Sequence, residues 1–160
     1  MKKAIPGTEE RVEVNTAEEI NEQIGREIEA RIGFYAERPD LIEKRLNEIA
    51  REWDIERTLE MNAAAISVLG VILGTTKSRK WLMLPAVVGS FLLQHAIQGW
   101  CPPVPLFRRL GIRTTREINQ EKYALKALRG DFDNVNSQSD DRPGMKAQTV
   151  LTATMDKKAS

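Results

Sequence analysis

Two residues in this chain stand where chemistry would be done, Cys101 and His95, each the sole example of its type among 160 residues. Cys101 closes an apolar run and is followed by Pro102, Pro103 and Pro105. The thiolate is the reactive form of cysteine; Arg108 and Arg109 would favour it, whereas the negative end of a preceding helix opposes it. A phosphatase-like or sulfurtransferase-like anion cradle needs successive backbone N–H donors after the cysteine, and these prolines have none. Cysteines in apolar surroundings are usually inert, so Cys101 reads first as packing and second as a candidate reactive or sulfur-carrying thiol. His95 lies beside Gln94 and near Gln98 inside a run without charges. Polar groups at such depth mark a candidate intramembrane site, serving either hydrogen bonds between helices or a substrate or proton path. One histidine with no Cys, Asp or Glu at ligand spacing predicts no metal. No nucleotide loop, catalytic triad or credible pair of carboxylates is present, so the sequence names no catalytic residue, no cofactor and no reaction.

The elements that position these residues are two apolar runs, Met61–Thr76 and Trp81–Trp100, joined by Lys77-Ser78-Arg79-Lys80. Twenty residues at 1.5 Å each span about 30 Å, the hydrocarbon thickness of a bilayer. Trp81 and Trp100 flank the second run as interfacial anchors should. The first run, at roughly 24 Å, is the shorter span and borrows Leu59 and Glu60 to reach the usual length. Ala63, Ser67, Gly70 and Gly74 share one helix face, and Gly70 to Gly74 is a GxxxG match for close helix packing, within the chain or between chains. Ala86, Ser90, Gln94 and Gln98 form the expected facing stripe on the second run. Basic residues near the spans, four before the first and four after the second against three in the loop, favour both termini in the cytoplasm.

Outside the hairpin the chain is dipolar. Residues 9–60 hold sixteen acidic and eight basic side chains, whereas residues 77–160 hold fourteen basic and seven acidic. These segments can attract each other. Residues 1–15 read as a flexible lead-in without the apolar core of a signal peptide. Residues 16–60 read as an amphipathic helical hairpin: Thr16 and Glu19 have capping-box spacing, Ile20, Ile24, Ile28, Ile32 and Tyr35 form one stripe, and Ile42, Leu46, Ile49 and Trp53 form a second. The turn falls at Arg38-Pro39-Asp40, and the second helix is expected to run on into the first apolar run. Its acid-rich polar face points to packing rather than to anionic lipid. Residues 61–115 are the membrane-spanning hairpin, in which Leu106 to Arg113, with Arg108 and Arg109 as anchors, suits the headgroup layer. Thr114 and Glu117 open a basic helix over 116–130 that Gly130 ends, suited to anionic lipid or to the acidic helices. Residues 131–160 are too polar to offset their ordering entropy and read as a disordered tail. The fold class is therefore all-α.

Residues 57–115, with Gly99-Trp100-Cys101-Pro102-Pro103 after the second span and then Leu110-Gly111-Ile112, resemble the YgaP-like inner-membrane domain family. The resemblance implies a bacterial inner-membrane protein with a two-helix hairpin, a homo-oligomer, and in some relatives a fused rhodanese sulfurtransferase domain that is not evident here. The expected function is a self-associating membrane anchor or interaction module, with the lipid bilayer as partner, a protein partner unidentified, and no nucleic acid, since the basic residues lack interleaved aromatics. Two alternatives stand beside it: a thiol or sulfur-handling membrane protein using Cys101, and a soluble all-α interaction protein whose hairpin is a buried core.

Overall fold

The computed structural model describes residues 7–133 and 143–155, the side chains of 143–146 excepted. Its helices are α1 (Glu18–Ala36), α2 (Ile42–Ile49), α3 (Ile55–Thr76), α4 (Met83–Gln98), α5 (Val104–Arg109), α6 (Thr115–Leu128) and α7 (Pro143–Thr154), with short 3₁₀ turns at Glu13–Asn15, Pro39–Leu41 and Arg79–Leu82. Among the described residues all regular structure is helical. Two compact units are formed, one from residues up to 27 together with 52–118, the other from 28–51 together with residues from 119 onward.

In the first unit α3 and α4 make the hairpin. Asp54 caps α3 by accepting the Arg57 N–H at 2.9 Å. That cap separates α3 from α2, so the second amphipathic helix does not run on; it ends at Ile49, and Trp53 leaves its register and is exposed. With 22 residues α3 reaches about 33 Å at 1.5 Å per residue, but Glu56, Arg57 and Glu60 lie in its first two turns, so its apolar stretch is still the run that begins at Met61. Gly70 and Gly74 are buried, and the GxxxG pair is used within the chain: a Cβ on Gly70 would meet the Pro85 ring at 2.6 Å, and one on Gly74 the Leu82 side chain at 2.5 Å. Ala63 and Ser67 are half-buried on the same face. The answering face of α4 is Leu84, Pro85, Val88, Leu92 and His95, at least half-buried at helical spacing. Ala86 and Ser90, expected to face α3, are instead exposed; the proline and leucines already fill the space above the glycines.

Two helical stretches, α3 and Arg79–Gln98 (the 3₁₀ turn continued by α4), are long and apolar enough to cross a membrane, yet only 17 % and 6 % of their apolar windows are buried. A soluble core helix would be mostly covered, so a chain that hides this hairpin as its core is at odds with the structure.

At the base of the hairpin Val12, Ile55, Leu59, Cys101 and Val104 form a small core, with Leu92, Phe107 and Ile112 against it. Val12 belongs to the segment read as flexible. Residues 8–15 are instead docked, because one apolar side chain and two polar ones find partners there; residues 1–6 lie outside the described part. Thr16 does not form a capping box with Glu19; its hydroxyl donates to the Val12 carbonyl at 2.8 Å, closing the turn ahead of α1. The second box is real: the Thr114 N–H donates to Glu117 at 2.7 Å and the Glu117 N–H to the Thr114 hydroxyl at 3.2 Å. Gly130, at φ 83°, follows the end of α6.

In the second unit Ile28, Ile42, Leu46, Ile49 and Leu125 are buried. The fully buried Glu121 accepts from Arg31 at 3.2 Å and Arg45 at 2.8 Å. The tail read as disordered contains α7. Lys126, itself buried, donates to the carbonyls of Thr154 and Met155, both at 2.9 Å, and so satisfies the end of that helix. Residues 134–142 and 156–160 of that tail lie outside the described part.

Candidate functional site

The polar groups of the first unit converge where α3 begins and α4 ends. An antiparallel hairpin brings these termini together, and the segment before α1 and the residues after α5 supply the rest. His95 Nε2 lies 2.8 Å from Glu56 Oε2, and Arg11 donates to the other Glu56 oxygen at 3.0 Å. Because a carboxylate only accepts, Nε2 carries the proton, and Nδ1 is buried with no partner among the described residues. Arg11 also donates to the Ala96 carbonyl at 3.1 Å, and Asn15 to that of Gln98 at 2.7 Å. These carbonyls belong to the last turn of α4, which has no intrahelical donors of its own. Gly99 at φ 75° ends the helix, and the Arg11 backbone packs where its Cβ would stand.

A second cluster lies behind the first. Arg108 is 1 % exposed and holds both Glu117 oxygens, each at 2.6 Å, while also donating to Asn21 at 2.9 Å and the Ile112 carbonyl at 3.2 Å. It is therefore not the headgroup anchor expected from sequence but a buried fork closed on a carboxylate. Burial alone would raise the Glu117 carboxyl. Hydrogen bonds from Arg108 and Thr114, with the Arg108 charge, outweigh that and hold it below its ordinary value. Arg113 grips Glu52 at 2.7 and 2.6 Å, and its carbonyl accepts the Ile55 N–H at 2.9 Å. Thr115 donates to Asp54, and Arg116 pairs with Glu13 at 3.1 Å. The dipolar chain thus closes acid upon base inside its own fold.

Of the predicted site residues, His95 is buried and hydrogen-bonded to Glu56, whereas Gln94 is half-buried and Gln98 exposed, and neither amide side chain joins it. Cys101 sits in the small core, where burial pushes its thiol up, against thiolate formation. Trp81 and Trp100 are exposed at opposite ends of the hairpin, and Arg109 is exposed at the end of α5. Sequence reasoning missed Glu56 and Arg11. The signal for Glu56 was available, since residues about equally far from the turn at Lys77-Ser78 must face each other, as Gly70 faces Pro85.

A cavity of about 260 Å³ opens beside this cluster, lined by Thr8, Glu9, Arg11, Glu56, Thr114 and Arg116 among others. Its two carboxylates and two guanidinium groups balance, so it holds no field selecting a ligand of one charge. Among the described residues no group of three or more His, Cys, Asp or Glu could hold a metal.

No curated protein and no solved structure matches the chain. Residues 54–117, spanning both hairpin helices and the base cluster up to Glu117, match a family model described as inner membrane protein YgaP-like, transmembrane domain. The match covers less than half of the chain; together with two exposed apolar helical stretches of spanning length it supports a membrane location, and residues 54–117 are similar to a YgaP-like transmembrane domain.

Proposed function

We propose that the chain is a self-associating membrane module, anchored in the inner membrane with both termini in the cytoplasm, that presents its charged helices for interaction rather than catalysing a reaction. The observation that carries this reading is the outer face of α4. Gly70 and Gly74 are spent inside the hairpin, yet Ala86, Gly89 and Ser90 stay exposed, and a Cβ on Gly89 would meet nothing within 4 Å. In lipid, where no hydrophobic force joins helices, such small-residue faces permit close approach. The buried thiol and the prolines after it argue against the sulfur-handling reading.

The test places a single cysteine at residue 90 in a Cys101→Ser background and oxidises native membranes. A disulfide-linked dimer from S90C, weakened by Gly89→Leu, is expected. Failure of S90C to cross-link, with carbonate extraction confirming insertion, would refute self-association through this face.

A further inference from the structure

From Met61 to Arg116 the chain has no Asp or Glu. Within that stretch Lys77, Arg79 and Lys80 stand at the turn end of the hairpin, opposite the base cluster. All three are exposed, and among the described residues none of them forms an ion pair. The base is different: Arg11, Arg108, Arg113 and Arg116 each hold a carboxylate, and Arg57 stacks on Trp53 at 4.3 Å. Charge is thus segregated along the hairpin: at the base four arginines are matched by carboxylates, with Arg109 left exposed, whereas at the turn none of the three cations is matched.

The turn that displays these cations is tightly built. The N–H groups of Lys77 and Ser78 both donate to the Leu73 carbonyl, at 2.9 and 3.1 Å, and the Trp81 N–H donates to that of Ser78 at 3.0 Å. Packing of Leu82 over Gly74 holds the two strands of the turn together. Directly after the cations come Trp81, Leu82 and Met83, all exposed. Bare positive charge therefore adjoins bare apolar surface, and a ligand that satisfies both joins an anion to hydrocarbon. A soluble anion would leave the apolar half uncovered.

We propose that the turn Lys77–Lys80, with Trp81 beside it, recognises the phosphate of anionic phospholipid headgroups in the leaflet where the turn emerges. The proposal rests on the membrane-embedded reading of the hairpin and adds a lipid class to it. Each lysine or arginine near an anionic surface favours anionic lipid by about five-fold, an effect that salt screens.

The experiment uses the full chain with Trp53→Phe and Trp100→Phe, leaving Trp81 as the only indole, in phosphatidylcholine vesicles. Brominated phosphatidylglycerol and brominated phosphatidylcholine are compared as quenchers. Preferential quenching by phosphatidylglycerol is expected, falling by at least about five-fold in K77Q/R79Q/K80Q. The preference should persist in the charge-retaining K77R/R79K/K80R and in the control K44Q/R51Q. Equal quenching by the two lipids, a preference that survives in the triple glutamine variant, or its abolition by excess inorganic phosphate at matched ionic strength overturns the proposal. Carbonate extraction of the same variants separates the failures: resistance with no lipid preference defeats the headgroup site alone, whereas release of the parent chain with no quenching by either lipid defeats the membrane reading as well.

Discussion

Replacing Arg108 by methionine removes one half of a buried pair whose side chains are 0 % and 9 % exposed and whose two hydrogen bonds are each 2.6 Å. Breaking such a pair costs about 3–5 kcal/mol, because the remaining charge is buried without compensation. Glu117 retains its bond from the Thr114 N–H, which places R108M near the lower end of that range, about 3 kcal/mol. E117L loses the capping box as well, about 1 kcal/mol more. The double variant R108M/E117L should cost clearly less than the sum, with a coupling of at least about 2 kcal/mol. Equilibrium unfolding of the detergent-solubilised chain, followed by circular dichroism, measures all four corners of the cycle. The pH dependence carries the same sign. Glu117 is held below its ordinary value of 4.5, so its contribution is fully present above that value and is lost as pH falls through the lower folded-state value. Additivity within about 0.5 kcal/mol would refute the buried-pair reasoning.

Gly70→Ala should loosen the hairpin more than Gly74→Ala, because the new methyl meets the rigid Pro85 ring in one case and the flexible end of Leu82 in the other; detergent unfolding midpoints of the two variants rank them. Gly99→Ala combines a positive φ with a collision against the Arg11 backbone, and is expected to cost more than the 1–2 kcal/mol or so of the left-handed conformation alone. A loss no greater than that of Gly89→Ala, where the space is open, would show that the segment before α1 is not docked there. Cys101, buried with a raised thiol, should alkylate at neutral pH at least about ten-fold more slowly in the folded chain than after denaturation; equal rates would restore the case for a reactive thiol.

What the sequence made legible was local. The box from Thr114 to Glu117, the stop at Gly130, the stripe of Ile24 and Ile28, and the length and bareness of the two spans depend on neighbours a turn or two away, and all appear as read. The fate of Arg108 depends on Asn21, 87 residues distant, and the docking of Arg11 on Ala96, 85 residues distant, so no local pattern distinguishes these arginines from exposed Arg109. Thr16 and Thr114 have the same spacing to a glutamate, yet only Thr114 caps, because α1 begins at Glu18 and leaves Thr16 one residue ahead of the N-cap position, whereas α6 begins directly after Thr114. The face of α4 was misjudged for a related reason: Ala86 and Ser90 are small enough to pack, but Pro85 and Leu84 already occupy the glycine groove. The terminal helix was hidden by polar composition, since one buried alanine and a lysine from another helix hold it.

The donors of Arg11 and Asn15 have a bearing on biogenesis. They are translated more than eighty residues before the carbonyls of Ala96 and Gln98 that they serve. During synthesis the nascent amino-terminal arm therefore waits without its acceptors, and the exit of the last span stays unsealed until the whole hairpin has entered. The early arm can therefore lock only after the last turn of α4 has been made.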